Sequence, residues 1–462
     1  MGALSDQTVL REYTIARDVR DIADELLALN PRILGLGVYI WNVEVTTRLV
    51  RELKTRRPEV EIVLGGPEVS HAWDSQPVVA MADFVITGWG DVSFPKLCHA
   101  LLQGPRPLMK VIPGEQPPLD QIVLPYAHYT DDDLAHRLLY VEASRGCPFQ
   151  CEFCLSALDK TAWAFDLDRF LHALAQLHQR GARTFKFVDR TFNLKTSSAV
   201  RILAFFLERM ESGLFVHFEV IPDHLPDALK VLIAQFPPGS LQLEVGVQTF
   251  DVQVQQRISR KQDNDQTEVN LRWLLAHSHA HIHADLIFGL PGETLASFAA
   301  GFDRLYALGP HEIQLGLLKR LRGTPIARHT ELHGMVYDTA PPYSVQQTAV
   351  VDAQSVQRFQ RLARYWDLVA NSGRFTRTCK LLLQGESAFA AFAKWSDWLW
   401  NAMQRTTQVS PEQLTDALYA YLTGPRTVPA EQAHAALLAD YVDSGAHGSP
   451  SCLRGSLPPR RT

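Results

Sequence analysis

Short apolar runs alternate with helical stretches over most of the chain, and this alternation restricts the fold more than any other sequence feature. In the first hundred residues the runs are PRILGLGVYIW, EIVLGG and ADFVITGWG. Six more follow after residue 137: LLYVEA, TFKFVD, VHFEVI, LQLEVGVQ, IHADLIFG and EIQLGLLK. Parallel strands joined by crossover helices produce this pattern. We therefore predict an α/β protein whose polar sites lie at the carboxyl ends of its strands.

The alternation divides into two α/β units followed by a helical region. Residues 1–103 predict a doubly wound, Rossmann-like domain that begins abruptly near VLREYTI, as if its first element were missing. Residues 104–136 are rich in proline and predict an extended linker. Residues 137–340 predict a partial (β/α)6 barrel of the TIM type. We expect a helical C-terminal domain at 341–448 and a disordered tail at 449–462.

The composition excludes several classes of protein. With a formal net charge of -5 and 21% charged residues, the chain has no basic field that would attract nucleic acid. No apolar run reaches the roughly 18 residues that a membrane span needs, and the first residues lack the apolar stretch of a signal peptide. We therefore expect a cytoplasmic protein with no membrane partner, and a nucleic-acid substrate is not favoured.

Three of the six cysteines lie within eight residues, in SRGCPFQCEFC at the end of the first predicted barrel strand. Cys147, Cys151 and Cys154 can wrap one iron-sulfur cubane, whose irons prefer soft thiolates. Four ligands would saturate a 4Fe-4S cluster, so three leave one iron open. The alternative is a structural zinc ion, which would need a second Cys or His pair; His128 and His136 lie upstream without a matching spacing.

The spacing Cys-x3-Cys-x2-Cys, with aromatic Phe153 before the last cysteine, identifies the chain as a member of the radical S-adenosylmethionine (SAM) superfamily. This resemblance implies that the open iron chelates the amino and carboxylate groups of SAM. It also implies a one-electron donor, such as a flavodoxin or ferredoxin, and reductive cleavage of SAM to a 5'-deoxyadenosyl radical. Cofactors then supply the difficult chemistry, while the protein orients them and excludes water.

Later strands resemble those of oxygen-independent coproporphyrinogen dehydrogenases at four positions, Glu219, Gln248, Arg260 and Asp285. The resemblance implies that all four contact SAM. Arg260 would bind its carboxylate, Gln248 its methionine moiety, and Glu219 and Asp285 its ribose or ammonium side. Without the resemblance, Arg260 could equally be a surface residue. An unpaired carboxylate buried in an apolar strand is costly in free energy, so a function is favoured for Glu219 and Asp285.

Two further expectations concern the same pocket. Ile287 and Phe288 could flank the adenine ring. The family usually has a Gly-Gly-Glu turn after its second strand, and here the residues are FKFVDRTFN. Asp189 could accept from the SAM ammonium in place of that glutamate, with Arg190 beside it. A structural Asp189–Arg190 salt bridge is the alternative, although adjacent strand residues point apart.

The runs VYIWN and VLGGPEVS resemble the cobalamin-binding domains that precede many radical SAM barrels. In that family paired glycines let a large corrin ring approach the backbone, and here the pair is Gly65 and Gly66. Tyr39, Trp41 and Asn42 are candidate lining residues, together with Gly88 and Gly90. An Asp-x-His-x-x-Gly signature is absent from the sequence, so we expect cobalamin to bind without a protein histidine on cobalt.

From about residue 8 to 375 the chain resembles one branch of cobalamin-binding radical SAM enzymes with a helical C-terminal domain. The first hypothesis for function is radical methyl transfer to an unactivated carbon of a small molecule or peptide. Oxidation or rearrangement without methylation is the second, and a non-catalytic cobalamin or redox sensor is the third. Transfer-RNA methylthiolation would predict a second cluster loop and a basic C-terminal domain, and the sequence contains neither.

We predict that the protein, purified in the presence of hydroxocobalamin, keeps the cofactor through gel filtration and shows its visible absorption bands. Protein purified in parallel without hydroxocobalamin is the control for bands of other origin. A colourless but folded eluate would remove cobalamin from the hypothesis.

Overall fold

The N-terminal sheet is parallel and has four strands, in a computed structural model that describes residues 1–385 and 387–458. The strands lie side by side in chain order and are β1 Ile33–Gly37, β2 Glu61–Gly65, β3 Phe84–Thr87 and β4 Val111–Pro113. The helices are α1 Val19–Ala28, α2 Val43–Arg56, α3 Pro77–Met81 and α4 Ser93–Gln103. Residues of α1, α2 and α3 pack on one face and those of α4 on the other. Helices thus cover both faces, as expected for a Rossmann-like domain.

The prediction that residues 104–136 form an extended linker is wrong at two places. Strand β4 pairs with β3 as an edge of the N-terminal sheet, and helix α5 forms at Asp131–His136. Three residues ending in proline are too short to show a strand pattern. An edge strand tolerates Pro113, which has no N–H to donate.

The second sheet has six parallel strands, also in chain order, and forms the partial barrel. Its strands are β5 Leu139–Val141, β8 Thr184–Phe187, β9 Phe215–Val220, β10 Leu241–Gln248, β11 His281–Phe288 and β12 Glu312–Leu317. A small antiparallel pair, β6 Ser144–Arg145 and β7 Trp163–Ala164, follows β5. The barrel helices are α6 Leu167–Gln179, α7 Thr196–Leu207, α8 Asp227–Ile233, α9 Val252–Arg257, α10 Asn264–His277 and α11 Leu295–Leu308. All six predicted strands are present.

Side chains alternate strictly along β10 and β11. Leu243 and Val245 are buried, as are Ala284 and Leu286, whereas the residues between them are only partly buried. The buried set packs in the core beneath the helices. The intervening set is polar except for Gly246 and Ile287 and faces the concave side of the sheet, which explains why the ionisable residues of different strands meet there.

The C-terminal helices share one apolar core with the barrel. They are α12 Ala353–Trp366, α13 Thr376–Leu382, α14 Ala388–Met403, α15 Pro411–Thr423 and α16 Ala430–Asp443, preceded by the pair β13 Val336–Tyr337 and β14 Val345–Gln347. Phe288 of β11 stacks on Phe359 of α12 with ring centroids 4.1 Å apart. The four tryptophans of α12 and α14 lie in this core or pack against it, so the aromatic stripe is structural.

The disordered-tail prediction is wrong for residues 449–458, and residues 459–462 lie outside the described part. Leu453 is fully buried, and Asp416 accepts hydrogen bonds from the backbone N–H groups of Ser451 and Cys452 at 3.0 and 2.8 Å. Burial of Leu453 and the hydrogen bonds to Asp416 therefore order a segment whose polar composition predicted disorder. No helix in the described residues combines the length and apolar character that crossing a membrane requires.

Candidate functional site

A cavity of about 230 Å³ lies at the carboxyl ends of the barrel strands. It brings together nine of the residues predicted to bind the cluster or SAM: Cys147, Cys151, Phe153, Cys154, Arg190, Glu219, Gln248, Arg260 and Asp285. Strands β9, β10 and β11 contribute Glu219, Gln248 and Asp285, while the loop after β6 contributes the cysteines. Residues up to 138 positions apart in the chain, Cys147 and Asp285, therefore share one cavity.

The cysteine loop begins at Gly146, where only glycine fits. Its φ is +79°, and a Cβ there would lie 2.3 Å from the backbone oxygen of Thr161. Cys147 and Cys151 are buried and Cys154 is partly exposed. Burial raises the pKa of the Cys147 thiol to about 11. A metal that binds this thiol as thiolate must therefore displace its proton.

Arg260 lies beside the cysteine loop. Its guanidinium donates to the backbone oxygen of Gly246 and to Oε1 of Gln262, with Nε 2.9 Å from that oxygen. Its Nη1 lies 3.6 Å from Sγ of Cys151. Burial raises the pKa of Cys151, and the positive charge of Arg260 opposes this shift. The guanidinium is therefore held at the cavity wall by neutral acceptors, with its charge directed towards a thiol.

Arg190 and Glu219 form a two-pronged ion pair between neighbouring strands. Nη1 of Arg190 lies 2.7 and 3.0 Å from the two carboxylate oxygens of Glu219. The Asp189–Arg190 salt bridge considered from the sequence is thus replaced by this pair. Burial raises the pKa of Glu219, and Arg190 opposes that shift.

Glu244 is a functional candidate that the sequence analysis missed. It lies opposite Glu219 in the register of β9 and β10 and lines the same cavity. Its Oε2 lies 3.0 Å from Nε2 of His217 and 3.4 Å from Nζ of Lys186. These neighbours, His217 above all, lower the pKa of Glu244 to about 2 in spite of burial. The available signal was the polar alternation Gln-x-Glu-x-Gly-x-Gln in LQLEVGVQ.

Asp285 has no hydrogen-bonded partner of this kind in the described residues, and the charges of Lys186 and Arg260 compensate it only in part. Its Oδ1 is buried and accepts no hydrogen bond in the described residues, although Nε2 of His283 lies 3.4 Å away. Burial, followed by repulsion from Glu244 and Glu219, raises the pKa of Asp285 to about 8. The cavity therefore holds a carboxyl group that keeps its proton at neutral pH and has an acceptor position free for a donor.

A second cleft, of about 550 Å³, separates the barrel from the carboxyl ends of the N-terminal strands. Tyr39, Gly66, Gly88 and Gly90 line it on the N-terminal side, and Glu142, Ser144, Arg145 and Gly146 are among its barrel residues. Arg190 lines both this cleft and the smaller cavity. The two spaces thus meet at a single side chain among the described residues.

Two groups of contacts fix the N-terminal domain against the barrel, and neither was predicted. Glu68, buried beside the predicted glycine pair, accepts from Nε of Arg322 at 2.7 Å and from the hydroxyl of Tyr343 at 2.6 Å. Arg145 pairs with Asp91 of the N-terminal domain at 2.9 Å and lies over the Trp89 ring. Because such contacts join residues more than fifty positions apart, no local pattern could reveal them.

Comparisons with known proteins match three parts of the chain. A model of the radical SAM superfamily matches residues 141–305, and a B12 binding domain model matches residues 2–98. The chain contains a radical SAM domain preceded by a B12-binding domain. A model named Protein of unknown function (DUF4080) matches residues 331–456, which include the C-terminal helices. A 4Fe-4S cluster, SAM and cobalamin are the cofactors of the first two domains.

Curated relatives cover most of this chain but are longer than it. The cobalamin-dependent radical SAM methyltransferase TokK of Streptomyces tokunonensis is 25% identical over 65% of this chain and 49% of its own length. The 2-(S-pantetheinyl)-carbapenam-3-carboxylate methyltransferase of Streptantibioticus cattleyicolor is 24% identical over 68% of this chain and 50% of its own length. The chain thus spans about half the length of these relatives.

Solved structures share the fold. The radical SAM methyltransferase TsrM from Kitasatospora setae, with cobalamin and a [4Fe-4S] cluster bound, has a TM-score of 0.58 at 17% identity and covers 72% of this chain and 74% of its own. The cobalamin-dependent SAM radical enzyme OxsB has a TM-score of 0.61 at 13% identity and covers 93% of this chain and 78% of its own.

The radical SAM cavity fits an iron-sulfur cluster. Its three thiols lie around one space, and in the described residues no three His, Cys, Asp or Glu side chains converge to hold a single metal ion. A structural zinc ion needs ligands that meet at one point, whereas a cubane has a separate iron for each thiolate. The orphaned Oδ1 of Asp285 and the carboxylate of Glu219 are acceptors of the kind that the ammonium and ribose hydroxyls of SAM require.

The cleft beside the B12-binding domain fits a large ligand with a flat face. A Cβ atom added to Gly88 or Gly90 would meet no atom within 4 Å, so the backbone there is open to the cleft. Gly66 has φ of +103°, and a Cβ on it would lie 2.5 Å from the backbone oxygen of Val38, so this position excludes larger residues.

Three other predicted cobalamin residues do not line the cleft. Gly65 ends β2, where its oxygen accepts from the Val38 N–H at 2.7 Å. Asn42 closes the turn after β1 by accepting from the Tyr39 N–H and donating to the Gly37 oxygen, at 2.8 and 2.9 Å. Trp41 is 61% exposed and stacks on Tyr39. The Asn42 side chain is therefore used by the turn, and Gly65 and Trp41 lie outside the cleft lining.

Two of the residues expected to contact SAM do not line the cavity. Asp189 does not line the cavity, because its carboxylate accepts from the Ala143 N–H at 2.9 Å and the Ser144 hydroxyl at 2.6 Å and so joins the ends of β8 and β5. Burial raises its pKa to about 7 despite these bonds. Phe288 faces the outer core on Phe359, since alternate strand residues point to opposite faces. Ile287 packs beside Phe153 in a separate apolar cluster.

We predict a distinctive pH dependence for Asp285→Asn. The pKa of Asp285 is raised from 3.8 to about 8 on folding, so the native state holds a proton that the unfolded chain has lost between these values. The contribution of Asp285 to the free energy of unfolding therefore falls as pH rises through this interval. In urea unfolding of cofactor-free protein, Asp285→Asn should gain stability relative to wild type between about pH 5 and about pH 8.

Asp352→Asn is the matched control. Asp352 caps helix α12 by accepting from the Ser355 N–H, and this hydrogen bond lowers the pKa of Asp352, so the carboxylate is ionised at both pH values. The difference between this variant and wild type should stay constant over the same interval. An Asp285→Asn protein that follows wild type at both pH values would contradict the assignment.

Proposed function

We propose that the protein is a cobalamin-dependent radical SAM methyltransferase that acts on an unactivated carbon of a small molecule or peptide. The observation that supports this proposal is that Arg190 lines both the cysteine-lined cavity and the glycine-lined cleft. A methyl transfer through two cofactors needs both to reach one substrate. The bound cluster supplies an electron to SAM, and bound cobalamin supplies the methyl group.

In this proposal the cysteines bind the cluster, and Arg260 and Asp285 bind SAM. Cys147, Cys151 and Cys154 would hold three irons of the cluster and leave the fourth for the amino and carboxylate groups of SAM. Arg260 would provide a positive charge for that carboxylate, since its guanidinium lies 3.6 Å from Cys151 Sγ beside the cluster site. Asp285 accepts a hydrogen bond from SAM on the side where its Oδ1 has no other donor.

The remaining predicted residues form the wall and the boundary of the pocket. Gln248 has φ of +70° at the end of β10, an uncommon conformation that turns its side chain over Gly246 at the cavity. Phe153 packs beside the cysteines with Ile287. Arg190, held by Glu219, separates SAM from cobalamin and lies where a substrate would bind between them. Tyr39 and Gly66 contact cobalamin in the cleft.

The relatives support a small substrate. TokK and the carbapenam-3-carboxylate enzyme are named as methyltransferases, and a TsrM structure contains tryptophan as its substrate. The cleft of about 550 Å³ must hold both the cobalamin face and the substrate, so we expect a compact molecule or a side chain of a peptide. A flavodoxin or ferredoxin would deliver the electrons. All six cysteines are free, as expected in a reducing compartment, and we propose the cytoplasm.

Reductive cleavage of SAM tests the first half of the proposal. Anaerobically reconstituted protein with dithionite should convert SAM to 5'-deoxyadenosine, and Cys151→Ala should abolish this because the cluster loses a ligand. Product is measured by chromatography. Cys98→Ala is the matched control, since Cys98 is buried in α4 away from the cavity and should not affect turnover. No cleavage by wild type holding iron and sulfide would instead favour a sensor.

Methyl tracing tests the second half. SAM labelled in its methyl group, incubated anaerobically with cell extract, reductant and the cobalamin-loaded protein, should pass the label to one extract component. Extract incubated with Cys151→Ala is the control. Cleavage of SAM without labelled product would contradict methyl transfer and favour oxidation or rearrangement, whereas label in a product would identify the substrate by mass.

A further inference from the structure

Glu152 is a buried carboxylate inside the cysteine loop, between Cys151 and Cys154. Its side chain is 3% exposed. An ionised carboxylate buried without partners costs several kcal/mol, so its position requires an explanation. Neither Glu152 nor any residue that contacts its carboxylate lines the cavity. The role of Glu152 therefore depends on the residues that its carboxylate and backbone contact.

Both oxygens of Glu152 are bound by side chains from two distant segments. Oε1 accepts from the hydroxyl of Ser259 at 2.6 Å and from the guanidinium of Arg328, and Oε2 lies 2.8 Å from Nε2 of His329. We call these four residues the Glu152 clamp. Ion pairs and hydrogen bonds to a buried carboxylate stabilise it strongly when several donors converge.

The backbone of Glu152 joins the same two segments. Its N–H donates to the oxygen of Ile258 at 3.0 Å, and its carbonyl oxygen accepts from the N–H of Ile326 at 3.0 Å. Side chain and backbone together make five contacts, two to residues 258–259 and three to residues 326–329. The middle of the cysteine loop is therefore fixed on both sides.

One of the clamped segments carries Arg260. Ser259, which donates to Glu152, precedes Arg260 and has φ of +55°, a left-handed conformation that needs support in a residue other than glycine. Arg260 then lies with Nη1 3.6 Å from Cys151 Sγ. The clamp thus links the cysteine loop to the guanidinium that faces its thiol.

We propose that Glu152 is a positioning residue that holds the cysteine loop and Arg260 in the geometry that retains the 4Fe-4S cluster. It acts through the residues on either side and touches neither the cluster nor SAM. The inference rests on the proposed function in one respect, that the three cysteines bind the cluster. It adds a determinant outside the Cys-x3-Cys-x2-Cys signature, namely the carboxylate at the position before Phe153.

The test compares cluster retention in wild type, Glu152→Gln and Asp440→Asn. Each protein is reconstituted anaerobically, and the release of iron to a ferrous chelator is followed over time. Removing a partner that orients metal ligands typically costs 10- to 100-fold in metal affinity, so Glu152→Gln should lose iron about 10-fold faster or more. Its reduced cluster should also give an altered electron paramagnetic resonance spectrum when SAM is added, because Arg260 has shifted.

Asp440→Asn controls for the general loss of a buried carboxylate. Asp440 is fully buried among the C-terminal helices, where it accepts from the N–H and hydroxyl of Thr378, both at 2.8 Å. It belongs to neither clamp segment, so this variant should release iron at the wild-type rate. A folded Glu152→Gln protein with the wild-type rate and spectrum would overturn the proposal, and so would an Asp440→Asn protein that loses iron equally fast.

Two further variants decide the matter if Glu152→Gln is insoluble. Ser259→Ala and His329→Ala each remove one donor and leave the carboxylate paired with the others. Both should release iron faster than wild type, and wild-type rates in both would overturn the proposal. Failure of the one premise taken from the proposed function, that the three cysteines bind the cluster, is distinguishable, because wild-type protein would then hold no iron and sulfide, whereas failure of this inference leaves the wild-type cluster intact.

Discussion

Strict alternation of side chains along β10 and β11, with β9 in register beside them, is the constraint on which the site depends. It directs Glu219, Glu244 and Asp285 to one concave face, and the strand register brings Glu244 opposite Glu219 and Gly246 opposite Asp285. Three carboxyl groups in one low-dielectric space repel one another. The fold resolves this differently for each: Arg190 pairs with Glu219, His217 and Lys186 stabilise the charge of Glu244, and Asp285 keeps its proton.

The second constraint is the placement of the N-terminal domain over the barrel mouth. Glu68 is buried at that contact and accepts from both Arg322 and Tyr343, so its charge is compensated only while the domains are together. Removing Arg322 while the domains stay in contact would leave the buried Glu68 charge without its cationic partner, which typically costs several kcal/mol. Arg145, stacked on Trp89 and paired with Asp91, adds a second contact at the cleft. The spacing of the two cofactor spaces is thus a property of the folded chain.

Much of this architecture could be predicted from sequence because it depends on local pattern. All six barrel strands have an apolar period, and the cysteine spacing lies within one loop. Most of the predictions that failed concern contacts between residues that are distant in the sequence. Asp189 was expected in the pocket, but its bonds to Ala143 and Ser144 depend on a neighbouring strand. Glu244 was missed because its importance comes from His217 and Lys186, which other strands supply. Phe288 was expected beside the adenine ring, although the alternation of side chains along β11 already predicted that it lies on the face opposite Asp285.

The buried oxygen of Asp285 can destabilise the ligand-free protein and yet stabilise the complex with a ligand in the cavity. A buried oxygen without a donor costs free energy in the empty cavity, and burial with two nearby carboxylates drives the group to keep its proton. A ligand that brings a cationic ammonium or a hydroxyl to that oxygen removes the penalty on binding. An ammonium would also favour the ionised carboxylate, so binding and proton release would be coupled. The cavity is therefore arranged for a ligand with positive charge and several donors rather than for an apolar one.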